Sequence, residues 1–373
     1  MRLKFSIAIA KLAGFASKQL LRKSGATIPG KILLSIYPKA LSVLAKNRTI
    51  ILVSGTNGKT STTRAITKCV ESLGPTVSNS TGSNLDRGVA TALMNKSEYA
   101  VLEVDELHLI KVAKDTNPKV VLLLNLTRDQ LHRMHEVKKV AKRWHDLARE
   151  LPNTTFIGDV DDPFVAYALN GGFAPKRISF GGRAHEDGAV CPNCGKYLNW
   201  NQKGFNCSCG LTNKDAEINL TAGSAAIRNA QLANIAAEKI GAAPIEINEA
   251  ALERSAELNV KGVRTKLRLT KNPASWREAL LGIRSNNVIL ILNAREVDGI
   301  DTSWLWDIDF SSLKGKKIAV TGERALDMVY RLHVQGIDSK DFKDFESAVG
   351  HFEKNSNVDV LAAYTAFHGL VRA

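Results

Sequence analysis

A glycine-rich hexapeptide, GTNGKT at residues 55–60, sits between an apolar β-branched run, Asn47 to Ser54 (NRTIILVS), and a segment of helical periodicity, STTRAITKCVESLG, that closes on a glycine. No other feature narrows the fold as much. The order predicts a strand, a tight anion-binding turn and a helix. The first N–H groups of such a helix lack intrahelical partners, so with the helix dipole they converge on an anion; Lys adds charge, and the hydroxyl after it can ligate Mg²⁺. Gly55, Thr56, Asn57, Gly58, Lys59 and Thr60 supply those parts. The strict Walker spacing requires a glycine where this chain has Val53, so the loop is a shortened variant.

Two more buried-strand candidates follow, Tyr99 to Val104 (YAVLEV) and Lys119 to Leu126 (KVVLLLNL), each leading into a polar, helix-like segment. Strands alternating with helices predict a parallel α/β sheet, and ligands of such sheets collect outside the carboxyl ends of the strands. Here those ends carry GTNGKT, EVDE and NLTRDQ, which points to one crevice. Mg²⁺ is commonly held by one or two carboxylates beside phosphate oxygens, so Glu103 is expected to join Thr60 as a ligand. Asp105 and Glu106 lie just beyond it, and the plain alternative for Glu103 is a solvated loop charge.

Between Gly181 and Asn213 the composition shifts to Gly, Cys and Asn. Four of the five cysteines, Cys191, Cys194, Cys207 and Cys209, frame an apolar hairpin-like stretch as C-x2-C and C-x-C. Paired thiolates on two short turns are what tetrahedral Zn²⁺ requires, with all four positions filled and a structural role expected. The second pair is tighter than the usual C-x-x-C. Cys69 stands alone in a helical pattern and is expected in the core. Helical periodicity resumes from Gly223 to Ile240, and strands are predicted at 288–293, 317–322 and 358–364. The expected organisation is an N-terminal helical segment (1–45), an ATP-binding-type α/β domain (46–242) with an insertion at about 184–213, and a second, smaller α/β domain (243–373). Asp298, Asp301, Asp307 and Asp309 crowd the segment VDGIDTSWLWDIDF beside Trp304 and Trp306, the pattern of either a site or an acidic turn.

Of the 373 residues, 51 are Lys or Arg against 37 Asp or Glu, a net charge of +14, with 44% hydrophobic and 24% charged side chains. Those proportions exclude disorder and collagen-like repeats. The longest apolar runs, Val120 to Leu124 and Val288 to Leu292, fall far short of the roughly 20 residues that span a bilayer. The charge predicts an anionic partner: nucleic acid, a phosphorylated metabolite or an acidic lipid surface. Only 6% of residues are aromatic and no basic run is interleaved with aromatic rings, which argues against nucleic acid. At the N-terminus Lys11 and Lys18 interrupt any signal-peptide core. At helical spacing Phe5, Ile9, Leu12 and Leu20 share one side while Lys4, Lys11 and Lys18 recur every seven residues. Such a basic amphipathic helix either packs on its own domain or rests on an anionic membrane face.

GTNGKTSTT, LEVDE and RNAQLANIAAEKIG together resemble the central ATPase domain of Mur ligases. The cysteine insertion, PGKILLSIYPKAL, NLTRDQLHR, KNPA, DGIDTSWLWDIDF and TGERALDMVYRL narrow the resemblance to the MurT family, the synthetase subunits of lipid II isoglutaminyl synthase. It implies a Mur ligase-type central domain with a zinc-ribbon insertion and a Rossmann-like C-terminal domain. It also implies ATP-dependent amidation of the D-glutamate α-carboxylate of lipid II through an acyl phosphate, in peptidoglycan synthesis. Ammonia would come from a GatD-like glutaminase subunit in a heterodimer. The implied setting is cytoplasmic, peripheral at the inner face of the plasma membrane, with ATP, Mg²⁺ and Zn²⁺ as cofactors. Carried over by position, Gly55 to Thr60 bind ATP phosphates, Thr60 and Glu103 hold Mg²⁺, and Asn229 lies at the nucleotide. One of Asp301, Asp298 and Asp307, Asp301 first, would orient the glutaminase's catalytic His.

The chain departs from the family at named places: His132 stands for an Asp, His135 for a Gly and Ala226 for an Asn, GVRTK replaces a GR-x-E stretch, and KNPAS ends in Ser275 rather than Gly. Where amino-acid-adding Mur ligases place a carbamylated Lys, the matching offset falls on His145. Two other readings remain open. One is a Mur-type amino-acid ligase or folylpolyglutamate synthase, against which stand that missing Lys and the mere 45 or so residues ahead of Thr49. The other is a non-catalytic scaffold that binds lipid II and a glutaminase.

Overall fold

Runs of consecutive apolar residues fold here as strands covered on both faces. In the computed structural model, which describes residues 2–21, 27–80, 83–129, 137–182, 185–221, 223–246 and 255–372, Ile50 to Val53 and Val120 to Leu123 are buried throughout. Burial on both faces is the signature of a parallel sheet. Contacts divide the chain into two units, residues 1–126 with 137–252, and residues 127–136 with 253–373.

The first unit holds β1 (Thr49–Ser54), β2 (Thr76–Ser78), β3 (Tyr99–Glu103), β4 (Val120–Leu123), β5 (Thr155–Asp159), β6 (Lys176–Ser179), the antiparallel hairpin β7 (Asn199–Asn201) and β8 (Gly204–Asn206), and β9 (Ile218–Asn219). All but the hairpin form one parallel sheet in the order β2-β3-β1-β4-β5-β6-β9. On one face the helices Lys59–Val70 and Ala225–Glu238 pack together through Ala65, Ile66, Cys69, Ala233 and Ala237, so Cys69 is core as expected.

The N-terminal helix Arg2–Leu21 packs on its own unit, with Leu3, Ile7 and Ala13 half-buried, but the residues it buries fully are small. Ser6, Ala10, Gly14 and Ser17 are buried, and Phe5, Leu12 and Phe15 are exposed. Small residues win that face because they let helices approach closely: a Cβ on Gly14 would lie 2.5 Å from Pro29 Cγ of the next helix, Ile28–Ile36. That helix in turn meets the helix Asp86–Leu93 at Gly30, whose N–H donates to Thr91 Oγ1 at 2.9 Å. A Cβ on Gly30 would lie 1.7 Å from the Arg87 carbonyl oxygen. Gly30→Ala must therefore push two helices apart, and overpacking of this kind costs about 1–3 kcal/mol. We expect a lower urea midpoint with an unchanged slope; an unchanged midpoint would show that the helices give way freely.

The second unit holds β10 (Ser255–Val260), β11 (Val263–Leu269), β12 (Asn287–Ile291), β13 (Lys317–Thr321), β14 (Lys340–Asp341) and β15 (Asn357–Ala362), in the order β10-β11-β15-β12-β13-β14. The strands predicted at 288–293, 317–322 and 358–364 appear as β12, β13 and β15. Only β10 runs antiparallel, joined to β11 by Lys261 and Gly262 at φ 53° and 84°, the two-residue turn that a right-twisted hairpin favours. The GVRTK stretch forms this turn and the start of β11. Trp276, Trp304, Phe310 and Leu313 cover one face of the sheet; Phe352, Val349 and Phe367 cover the other.

Candidate nucleotide site and cysteine cluster

β1 delivers the chain into the glycine loop at Ser54, whose buried hydroxyl donates to the Val104 carbonyl at 2.9 Å, tying the ends of β1 and β3. Gly58 has φ +83°, a left-handed conformation that L side chains avoid. A Cβ there would also lie 2.2 Å from Asn229 Nδ2, so the helix Ala225–Glu238 brings Asn229 directly against the loop. From the third strand end, Asn125 braces the other side. Its side-chain oxygen accepts from Asn57 N–H at 2.9 Å, its Nδ2 donates to Asn57 O at 3.0 Å, and its carbonyl accepts from Thr56 N–H at 2.9 Å. The sequence puts NLTRDQ at this strand end, and the one mark of Asn125 in it is a short amide at the exit of a strand beside the loop.

Lys59 opens the helix that follows. Its Nζ donates back to the Gly55 carbonyl and pairs with Glu106 Oε2 at 3.2 Å, with the two side chains only 10% and 6% exposed. The lysine thus has a buried counter-ion, whose place a bound phosphate would take. Glu106 is held from behind, since Trp144 Nε1 donates to its backbone carbonyl at 3.2 Å. The expected carboxylate, Glu103, ends β3 as the register partner of Val53, and its backbone is clamped by Asn79 through two bonds of 2.8 Å. Glu103 is half-buried, as is Thr60 in the first turn of the helix. The loop, Lys59, Thr60, Glu103 and Asn229 therefore gather at the ends of β1 and β3. The structure adds Glu106, Asn125 and Asn79 to them.

The acidic segment of the second unit is not one cluster. Asp298 is buried and committed: it accepts from Thr365 N–H and Thr365 Oγ1, both at 2.7 Å, and so fastens the helix Tyr364–Arg372. Asp307 pairs with Arg128 Nη1 at 2.9 Å. Asp309 receives Ser311 N–H and Oγ at 2.9 Å each, and those bonds hold its carboxyl below the usual carboxylate range. Asp301 is exposed at a turn, where it accepts from Ser303 N–H at 2.8 Å. Lys271, of the KNPAS stretch, reaches Asp129 at 2.6 Å. The departure at Ser275 has a local reason: Asn272 and Ser275 form a reciprocal capping box, each side chain receiving the other's N–H at 3.0 Å, at the start of the helix Pro273–Leu281. Ala226 packs against the core, and His145 stacks on Tyr167 at 4.8 Å. His132 and His135 lie outside the described residues.

The four cysteine sulfurs lie within 4.8 Å of one another, with Cys194 to Cys207 at 3.4 Å and Cys191 to Cys209 at 3.6 Å. Tetrahedral Zn²⁺ with Zn–S of about 2.3 Å demands sulfurs about 3.8 Å apart, so the donor set fits Zn²⁺ and the tight C-x-C pair does not prevent closure. Each knuckle turns on a glycine at positive φ, Gly195 at 78° and Gly210 at 90°. Burial pushes the Cys191 thiol up to about 12. The ribbon is anchored at the sheet edge, where Asn213 Nδ2 donates to the buried Asp161 Oδ1 at 2.8 Å, and Asp161 also accepts from Ser179 Oγ and from Phe180 and Gly182 N–H. At its entrance His185 meets Asp162 at 3.1 Å, the residue that caps the helix Pro163–Leu169.

With this geometry in view, the Mur ligase middle domain family matches residues 53–237 and the MurT ligase C-terminal family matches residues 269–367. The lipid II isoglutaminyl synthase subunit MurT of Streptococcus pneumoniae is 28% identical, over 98% of this chain and 96% of that protein. The corresponding Staphylococcus aureus subunit is 27% identical over 91% and 89%. UDP-N-acetylmuramate–L-alanine ligase from Bdellovibrio bacteriovorus is 30% identical, but over 39% of this chain and 31% of that enzyme. Among solved structures, a pseudomurein peptide ligase type C from Methanothermus fervidus superposes with a TM-score of 0.65 at 17% identity, covering 88% of this chain and 79% of its own. MurF from Acinetobacter baumannii gives 0.62 at 17% identity, covering 92% and 80%. Those two likenesses establish the Mur ligase fold, and the full-length relatives go further: the chain belongs to the MurT family of Mur ligase-type synthetase subunits.

Proposed function

We propose that this chain is the synthetase subunit of a lipid II amidating enzyme, which converts the D-glutamate α-carboxylate to D-isoglutamine. The observation that carries the reading is similarity to MurT subunits along nearly the whole chain, joined to a glycine loop whose lysine is already engaged with a buried anion. ATP would lie with its phosphates on Gly55 to Thr60 and its nucleoside toward Asn229, with Mg²⁺ on Thr60 and Glu103. The substrate carboxylate attacks the γ-phosphorus, giving an acyl phosphate and ADP; positioning and charge neutralisation carry such a step. Ammonia then attacks the acyl carbon, phosphate leaves, and the nitrogen sheds a proton to give the amide. The ammonia is supplied by a glutaminase partner, whose catalytic His one of Asp301, Asp298 and Asp307, Asp301 first, would orient. Zn²⁺ on the four cysteines is structural, and the enzyme works at the inner face of the plasma membrane. The shorter matches to amino-acid-adding ligases favour this reading over a Mur-type amino-acid ligase.

Mass spectrometry of lipid II incubated with the chain, a glutaminase subunit, ATP, Mg²⁺ and glutamine should show one carboxylate converted to an amide, and ammonium should replace glutamine. Absence of conversion from both nitrogen sources, alongside firm binding of lipid II or glutaminase, would establish a scaffold instead. In the same assay Asp301→Asn should lower glutamine-driven amidation at least about tenfold, the loss of an oriented proton carrier's partner, and spare the ammonium reaction. Equal loss from both sources would put Asp301 in the synthetase chemistry or in folding.

A further inference from the structure

The first acidic residue of the chain is Glu71. Residues 1–70 contain 13 Lys and Arg and no Asp or Glu, whereas the other 303 residues hold 38 basic against 37 acidic side chains. Almost the whole net charge of +14 thus belongs to the N-terminal segment. The helix Arg2–Leu21 begins it, and its outer surface is unlike that of an ordinary surface helix. Phe5, Leu12 and Phe15 are 69%, 70% and 67% exposed, while the buried residues are Ser6, Ala10, Gly14 and Ser17, with Leu3, Ile7 and Ala13 half-buried beside them. At roughly 100° per residue, Phe5, Ala8, Leu12 and Phe15 fall within about 80° of arc. Lys11, which is exposed, lies on one flank of that stripe. Lys31, Lys39 and Lys46, on the segments that follow, are exposed as well.

Single exposed apolar residues are ordinary, but two phenylalanines and a leucine in one stripe carry a desolvation incentive that nothing within the described chain satisfies. A stripe of Phe and Leu flanked by Lys, on a helix without one acid, is the composition that lies in an anionic lipid interface rather than across it. No described helix is long and apolar enough to cross a membrane. We propose that the helix Arg2–Leu21 rests in the surface of an anionic phospholipid leaflet, with Phe5, Leu12 and Phe15 at the acyl boundary and Lys11 among the headgroup phosphates. This placement rests on the membrane-face location proposed above and names the element that makes the contact. Each basic residue near an anionic surface adds attraction that added salt screens.

The test is co-sedimentation of the full chain with large phosphatidylcholine vesicles, with and without phosphatidylglycerol. Binding should require phosphatidylglycerol and weaken as salt rises. Joint replacement Phe5→Ser, Leu12→Ser and Phe15→Ser should weaken it at least about tenfold, and Lys11→Glu should weaken it less. Because the replaced side chains are exposed, the thermal midpoint of the triple variant should match the parent. Equal binding to neutral vesicles, or binding unchanged by the triple replacement, would overturn the proposal. So would a change of oligomeric state or loss of glutaminase binding in the triple variant without lipid, because the face would then belong to a protein contact. Amidation of detergent-dispersed lipid II should be the same for parent and triple variant. A parent that amidates in detergent but ignores vesicles sinks the helix assignment alone, and one that binds vesicles without amidating sinks the proposed reaction alone.

Discussion

Lys59→Ala should reduce ATP-dependent amidation by at least about a thousandfold while leaving glutaminase binding intact, the scale expected when a charge on a transferring phosphoryl group is removed. The geometry complicates the simple version of this experiment. Lys59 is the buried partner of Glu106, so removing it strands a carboxylate that is almost fully enclosed. Breaking one side of a buried pair costs about 3–5 kcal/mol, enough to confuse loss of chemistry with loss of fold. Glu106→Gln resolves the two. Alone, it keeps the shape and a polar contact for Lys59, so activity should fall less than about tenfold if Glu106 serves only as the lysine's counter-ion. Combined with Lys59→Ala, it should return much of the lost stability and none of the activity. Single-turnover phosphate release and a denaturant midpoint, measured on all three variants, give the answer. Recovery of amidation in the double variant would mean that Lys59 matters for folding and that the loop does not bind the triphosphate as proposed.

The part of this site that could be read from sequence is the part built from backbone. Gly55 and Gly58 are glycines because the turn needs φ values of 144° and 83° and because Asn125 and Asn229 press on it. Such needs leave a pattern in residue type and spacing. Which carboxylate meets Lys59 leaves none: Glu103 and Glu106 are three residues apart, and only the path of the chain after β3 decides that Glu106 turns inward. The hairpin of β10 and β11 is hard to read because SAELNV and VRTKLRL are about half polar and lack a continuous apolar run, with β10 the half-exposed edge strand of its sheet. The N-terminal helix illustrates the opposite failure. Its apolar stripe is plain in the sequence, yet the packed face is the small-residue one, since close approach at Gly14 outweighs the area that Phe5 or Leu12 could bury there.

The second large effect is expected at the cysteine ribbon. Its hairpin consists of two three-residue strands, and its own apolar residues are few, chiefly Leu198, Phe205 and Leu211. A two-stranded hairpin of that size is marginal in water, and small units of this kind draw folding free energy from their metal. The protein should therefore carry one Zn²⁺ per chain by elemental analysis. Cys207→Ser, or prolonged exposure to a strong chelator, should remove it and open residues 185–213 to proteases. The parallel sheet should survive, because Asp161 keeps its bonds from Ser179, Phe180 and Gly182 when the ribbon loosens. Asn213→Ala should act from the other end: Asn213 joins the ribbon to Asp161 and receives Phe205 N–H at 3.1 Å, so its loss should free the ribbon from the sheet edge with the metal still bound. A preparation without metal whose ribbon resists proteolysis as well as the parent would refute the zinc assignment, since hairpin and knuckles would then hold by packing alone.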